Sequence, residues 1–237
     1  MKINICHLYP NLLNLYGDKG NVETLYHRIK NRGIDAFVTE VNENDKIDFD
    51  NIDILYIGAG SEKEQRLVLD MLNPYREELL NYIESSKVLL GVSSGYEILG
   101  KYYKTKSDSI KALEILDFSM DYQEKRKTDN VILNSGIINS TIVGFENHNT
   151  YLINSAYKPL GEYLYPNKTD EKAYEGIVYK NTILTHLLGP VLPKNPILCD
   201  FIIQKAIDLK DETYKLTPLD DSLETLAHNY IVNRFSE

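Results

Sequence analysis

Two cysteines are all that the 237 residues contain. Cys6 and Cys199 both lie in apolar stretches, and neither has companions at metal-ligand spacing. They read as reduced, structural thiols of a cytoplasmic protein. An excess of positive charge is missing too: the net charge is −9 and the isoelectric point is near 5.1. A nucleic-acid surface needs a clustered basic face, so that class of partner is excluded. No apolar run approaches the roughly 20 residues that cross a bilayer, and no membrane insertion is expected. Residues 1–6 lack the apolar core of a secretory signal, which again predicts a soluble, cytoplasmic chain. No His/Cys/Asp/Glu cluster has ligand spacing, so no metal is expected. No phosphate-cradling P-loop is present, so no cofactor is expected and any ATP use would belong to a partner. Repeats and linkers rich in Pro, Gly or Ser are also lacking, and the expectation is one domain over residues 1–237. The hydrophobic content of 43% is enough for a sizeable core.

What is there is a regular alternation. Residues 3–9, 36–41, 52–57 and 87–92 are apolar and β-branched, and read as strands. Helical patterns lie between them, over 21–33, 62–72 and 75–85, with Asn21 as the cap of the first. Strands alternating with helices imply parallel βαβ units in a three-layer α/β sandwich. Ligands of such sheets bind outside the carboxyl ends of the strands. Two turns of small residues fall there: Gly58-Ala59-Gly60-Ser61 and Gly91-Val92-Ser93-Ser94-Gly95. The second fits a strand–elbow–helix pattern that lifts Ser93 above the sheet and aims the Ser94 N–H at whatever binds. Together the two turns can supply converging N–H donors from Gly58, Ala59, Gly60 and Ser94, as an oxyanion hole requires.

The second half changes character. Short apolar pieces at 131–133, 137–138, 141–145 and 177–179 predict an antiparallel or mixed extension of the sheet. Residues 182–188 read as one more strand, closed by Gly189-Pro190, and two helices follow over 195–209 and 219–233. The charged run Gln123-Glu124-Lys125-Arg126-Lys127 reads on composition alone as a solvated loop. His7, His27 and His228 read as ordinary surface or half-buried histidines, and His148 as structural.

Several of these segments carry a resemblance. Leu15-Tyr16-Gly17-Asp18-Lys19-Gly20-Asn21, Gly95-Tyr96-Glu97-Ile98-Leu99-Gly100-Lys101, Thr141-Ile142-Val143-Gly144-Phe145-Glu146-Asn147-His148 and Gly189-Pro190-Val191-Leu192-Pro193-Lys194-Asn195 stand in the same order as in one family. The chain resembles the GatD-type glutamine amidotransferase subunits of lipid II isoglutaminyl synthase, within the class I, cobyric-acid-synthase-like amidotransferases. The resemblance implies a flavodoxin-like sandwich, a Mur-ligase-like (MurT-like) partner and glutamine as ligand. It implies glutamine hydrolysis by an elbow cysteine and a histidine, and transfer of the ammonia to the partner for amidation of D-glutamate in the cell-wall precursor. It also places Arg126 at a substrate-binding arginine.

The departures fall on the chemistry. Ser93 stands where the family pattern has the nucleophilic cysteine, and Leu188 where it has the histidine before Gly-Pro. A serine hydroxyl is a poor nucleophile without a base. Loss of either member of such a pair can lower turnover on the order of 10⁶-fold. His186 is two residues from Leu188, which on a strand is roughly 6.6 Å, so it is no direct replacement. Three readings follow: a catalytically degenerate binding or scaffold subunit, an active amidase using Ser93 with His186, or a serine hydrolase built on the same elbow.

Overall fold

In the computed structural model of the chain, residues 1–166 and 173–235 are described. The first half folds as β1 (Lys2–Leu8), α1 (Lys19–Lys30), β2 (Asp35–Val41), β3 (Ile54–Ile57), α2 (Glu62–Leu72), α3 (Arg76–Glu84) and β4 (Val88–Val92). From the second half, β11 (Ile177–Tyr179) and β12 (Thr182–Thr185) return to complete a six-stranded sheet in the order β11-β12-β4-β3-β1-β2. Every neighbour pair in it is parallel except β11 with β12.

The three layers follow from the two-residue period of the strands. Leu55, Ile57 and Leu89 face one side, with Val68 and Leu72 of α2 and Leu79 and Ile83 of α3. Ile54, Tyr56, Val88 and Leu90 face the other, with Leu25 and Ile29 of α1 and Leu198 and Ile202 of α5 (Pro196–Asp208). β3 and β4 are buried along their whole length, as parallel strands covered on both faces must be. Cys6 and Cys199 are free and buried, one in each apolar cluster.

The second half departs from a simple extension of this sheet. Only β11 adds to it. The remaining strands form a separate, largely antiparallel sheet: β5 (Tyr102–Lys104), β6 (Ser109–Lys111), β7 (Ser119–Ser135), β8 (Ser140–Ile153), β9 (Gly161–Tyr165) and β10 (Tyr174–Glu175). Its order is β10-β9-β7-β5-β6, with β8 paired to β7. The charged run 123–127 is not a free loop but part of β7, where the ladder with β8 shifts register between Tyr122 and Lys127. A bulge of this kind bends the strand and re-aims side chains. Ile137 and Ile138 make the β7–β8 turn, which Asn139 closes with a φ of 50°.

Four local expectations also shift. Asn21 does not cap α1, which begins at Lys19. Its buried side chain instead donates to the Tyr56 hydroxyl at 2.8 Å and accepts the Leu192 N–H at 2.9 Å. The helix after the elbow is a single turn, α4 (Ser94–Glu97). β12 ends at Thr185, so residues 186–188 leave the sheet. His7 is fully buried, and among the described residues neither of its ring nitrogens has a hydrogen-bond partner. Among the described residues no helix is long and apolar enough to cross a membrane.

Candidate functional site

The elbow forms as the spacing predicts, and close packing explains its glycines. A Cβ on Gly95 would lie 2.3 Å from the Ile57 carbonyl oxygen, and one on Gly91 would lie 2.8 Å from that of Gly95. Ser93 sits between them at φ 51° and ψ −106°, a backbone region that side chains other than glycine's seldom adopt. Its N–H donates to the Thr185 carbonyl at 2.8 Å, which ties the elbow to the end of β12. The Gly95 N–H donates to the Gly58 carbonyl at 3.1 Å, which ties it to the loop after β3. The two small-residue turns therefore meet, at the carboxyl edge of the sheet.

Ser93 faces an open cleft of about 480 Å³, lined also by Tyr16, Gly60, Gln65, Arg126, His148 and Thr150. Among the described residues the Ser93 hydroxyl has no hydrogen-bond partner. The backbone donors around it are largely engaged. The Ala59 N–H donates to the Asp18 carboxylate in a very short contact. The Gly60 N–H donates to the Ser94 hydroxyl at 3.1 Å, and that hydroxyl donates to the Gly60 carbonyl at 3.0 Å. The Ser94 N–H is the first of α4 and has no acceptor within the helix. Burial pushes the Asp18 carboxyl up to about 7, against the Ala59 N–H that favours its charge. No role for Asp18 was read from the sequence. Its only signal there was its place in the segment Leu15–Asn21.

Leu188 is packed in the apolar cluster that holds Leu198 and Ile202 of α5. Its N–H donates to the Phe145 carbonyl at 2.7 Å. His186 is also buried and does not line the cleft. Its Nε2 lies 3.3 Å from Glu97 Oε1 and 3.3 Å from the Thr150 hydroxyl, and its N–H donates to Glu175 Oε1 at 2.7 Å. The His148 ring stacks on it at 4.0 Å. The histidine that does reach the cleft is thus His148, with Nδ1 at 2.9 Å from the Thr150 carbonyl and Nε2 at 3.3 Å from Glu146. Burial, and then the neighbouring His186, pushes His148 down to about 4.

Glu97 and Glu175 flank His186 and are shifted in opposite directions. Burial would raise Glu97, but His186, Thr150 and Gln65 bind its carboxylate and hold it below the usual range. The Gln65 amide donates to it at 2.8 Å and the Thr150 hydroxyl at 2.7 Å. For Glu175 burial dominates and raises it, although His186 and Thr185 act the other way. This buried set was missed from sequence, because its members come from α2, α4, β8, β10 and the end of β12.

Arg126 stands at the rim. Its Nε donates to Asn147 Oδ1 in a very short contact, Nη1 to Asn149 Oδ1 at 2.7 Å and Nη2 to the Asn147 carbonyl at 3.0 Å. Among the described residues no carboxylate pairs with it, so its charge is held in place without being neutralised. Among the same residues no cluster of His, Cys, Asp and Glu could hold a metal.

The comparisons with known proteins bear on the family and the fold. Residues 4–196 match the model of the CobB/CobQ-like glutamine amidotransferase domain. The GatD subunit of a glutamine-hydrolysing lipid II isoglutaminyl synthase from Staphylococcus aureus is 36% identical over 98% of this chain and 96% of its own. The subunit of the same name from Streptococcus pneumoniae is 32% identical over 97% and 90%. A crystallised glutamine amidotransferase aligns over 85% of this chain and 98% of its own, with a TM-score of 0.57 at 13% identity. PurLQS from Thermotoga maritima aligns over 89% and 100%, with a TM-score of 0.54 at 13% identity. Those two likenesses concern the fold alone. With a family model spanning most of its length and two relatives matched from end to end, the chain belongs to the CobB/CobQ-like glutamine amidotransferase family.

Proposed function

We propose that this chain is the GatD-like subunit of a cytoplasmic, lipid II isoglutaminyl synthase-type assembly whose glutaminase centre has been lost. Its partner is a MurT-like, Mur-ligase-family subunit, with which it forms a heterodimer. The ligase carries out the ATP-dependent amidation of D-glutamate in the cell-wall precursor. The chain contributes a scaffold and a cleft that binds glutamine or its close analogues. One observation carries this reading: the Ser93 hydroxyl stands on a well-formed elbow with no base bonded to it, and a buried leucine occupies the family's histidine position. Without a proton acceptor, serine does not attack a carboxamide at a useful rate. The capped Ala59 and Gly60 amides support the reading, since an oxyanion hole needs free donors. The unneutralised Arg126 supports retained ligand binding, because a guanidinium without a carboxylate partner is a receptor for one.

The test is ammonia release from glutamine by the purified protein, with and without its Mur-ligase-like partner. The expected result is a stable complex and no release in either case. Robust release would overturn the reading.

A second reading is favoured by the elbow itself, which keeps its strained Ser93 backbone. It is an active serine-dependent amidase or hydrolase in which His186 moves toward Ser93 when the partner docks. It requires labelling of Ser93 by a fluorophosphonate probe, and loss of activity in both Ser93→Ala and His186→Ala.

A further inference from the structure

Residues 15–18 hold the cleft from two sides. At one end the Leu15 N–H donates to the Ala59 carbonyl at 2.9 Å, and Asp18 accepts the Ala59 N–H. At the other end the Tyr16 hydroxyl accepts from Asn147 Nδ2 at 2.8 Å. Tyr16 adopts φ 59° and ψ 21°, a left-handed conformation that tyrosine disfavours. The residue is 45% exposed, so core packing does not account for that conformation. The side chain lines the cleft, and its bond to Asn147 links the loop after β1 to the second sheet.

The Asn147 amide has two ends, and both are used. Nδ2 faces Tyr16, which leaves Oδ1 and the main-chain carbonyl to accept from Arg126. Together with Asn149, these contacts engage three of the five N–H groups that a guanidinium carries, all with neutral oxygens. A rotated Asn147 amide would turn its NH₂ toward the cation and lose the short Nε contact. A hydroxyl can bond either end of an amide, so the donor-only guanidinium sets the orientation, with the Thr128 hydroxyl also donating to Oδ1 at 3.3 Å, while the Tyr16 hydroxyl anchors the amide's other end and holds it in place.

We propose that Tyr16 is a positioning residue for Arg126: by fixing the Asn147 amide it sets the geometry in which the guanidinium meets the carboxylate of a bound amino acid. The inference rests on the reading that the cleft binds glutamine or a close analogue. It adds that the grip on the ligand depends on a bond between the two sheets.

The experiment is calorimetric titration of the full-length protein with L-glutamine, for wild type, Tyr16→Phe, Asn147→Ala and the double variant. One net hydrogen bond corresponds to about a 3- to 10-fold change in affinity. Tyr16→Phe is expected to weaken Kd by about that factor, with an unchanged melting temperature. In the Asn147→Ala background the same change is expected to have no effect, because the hydroxyl then has nothing to fix. Binding of 4-aminobutanamide, which lacks the carboxylate, is expected to be indifferent to Tyr16→Phe. A wild-type Kd in Tyr16→Phe, equal weakening in both backgrounds, or a fall in melting temperature that accounts for the loss would overturn the proposal while leaving the binding reading intact. Absence of glutamine binding by wild type would overturn both.

Discussion

The elbow at Ser93 and the chain that leaves β12 at Leu188 are built on opposite principles. The elbow keeps a backbone that costs free energy: Ser93 is held at φ 51° by glycines on both sides and by bonds to Thr185 and Gly58. The exit has relaxed, with Leu188 filling the apolar cluster that holds Leu198 and Ile202 of α5. Strain persists where the surrounding chain over-determines it, and close packing of the elbow leaves no other path. A side chain at the exit meets no such constraint. Replacing a polar group there by an apolar one gains burial, whereas an unpaired polar group would cost about 1–3 kcal/mol. On the function proposed above, the architecture of the site outlasts its chemistry, because the first is anchored by many contacts and the second by two side chains.

Restoring the chemistry is the most severe way to break that contrast. Ser93→Cys together with Leu188→His is expected to raise glutamine hydrolysis by at least about 10³-fold over the unmodified chain, with neither single change sufficient. Ammonia release with the partner present measures it. If the double variant stays silent, the elbow's geometry has been lost along with its residues.

Stability reads the same contrast from the side of packing. Leu188→Ala is expected to cost about 2–5 kcal/mol, as truncation of a buried leucine does. Ser93→Gly is expected to stabilise by up to about 1 kcal/mol, since glycine tolerates the positive φ that serine does not. Urea unfolding of the two variants gives opposite signs if the elbow is strained and the exit relaxed. Equal signs would dissolve the distinction.

Asp18 offers a subtler test at the elbow's neighbour. Its carboxyl is raised from 3.8 to about 7 in the folded chain. A raised carboxyl pKa means that the folded state binds the proton more tightly. Its contribution to stability is therefore complete below about pH 4, declines as the pH rises toward 7, and is flat above. The decline is at most about 4 kcal/mol, at roughly 1.4 kcal/mol for each pH unit that separates the unfolded and folded pKa values. The stability of wild type relative to Asp18→Asn is expected to fall by that order between pH 4 and pH 7. A difference that does not change with pH would mean that Asp18 does not titrate in that range.

Much of the fold was legible in the sequence because it rests on local signals. The apolar β-branched runs and the glycines at 91 and 95 each report their own surroundings. The charged run at 123–127 misled because solvation and a bulged strand look alike in composition, and only the pairing of β7 with β8 separates them. His7 looked ordinary for a similar reason: a histidine beside apolar residues does not announce that it is fully buried. At the site, Ser93, Ser94, Gly60 and Arg126 line one cleft, and Gly58 joins the elbow only through its carbonyl, whereas the strand spacing assigned to His186 and Leu188 does not apply beyond Thr185.

The sequence by itself determined the layered α/β architecture and the position of the elbow, because each of these is written in the identity of a few adjacent residues. Tertiary structure alone decided where the donors and charges went. It turned the Ala59 and Gly60 amides inward, set His186 between Glu97 and Glu175, and joined Tyr16 to Asn147 and Arg126. Those contacts span up to 131 residues of chain, and a hydrogen bond depends on distances that no local pattern encodes.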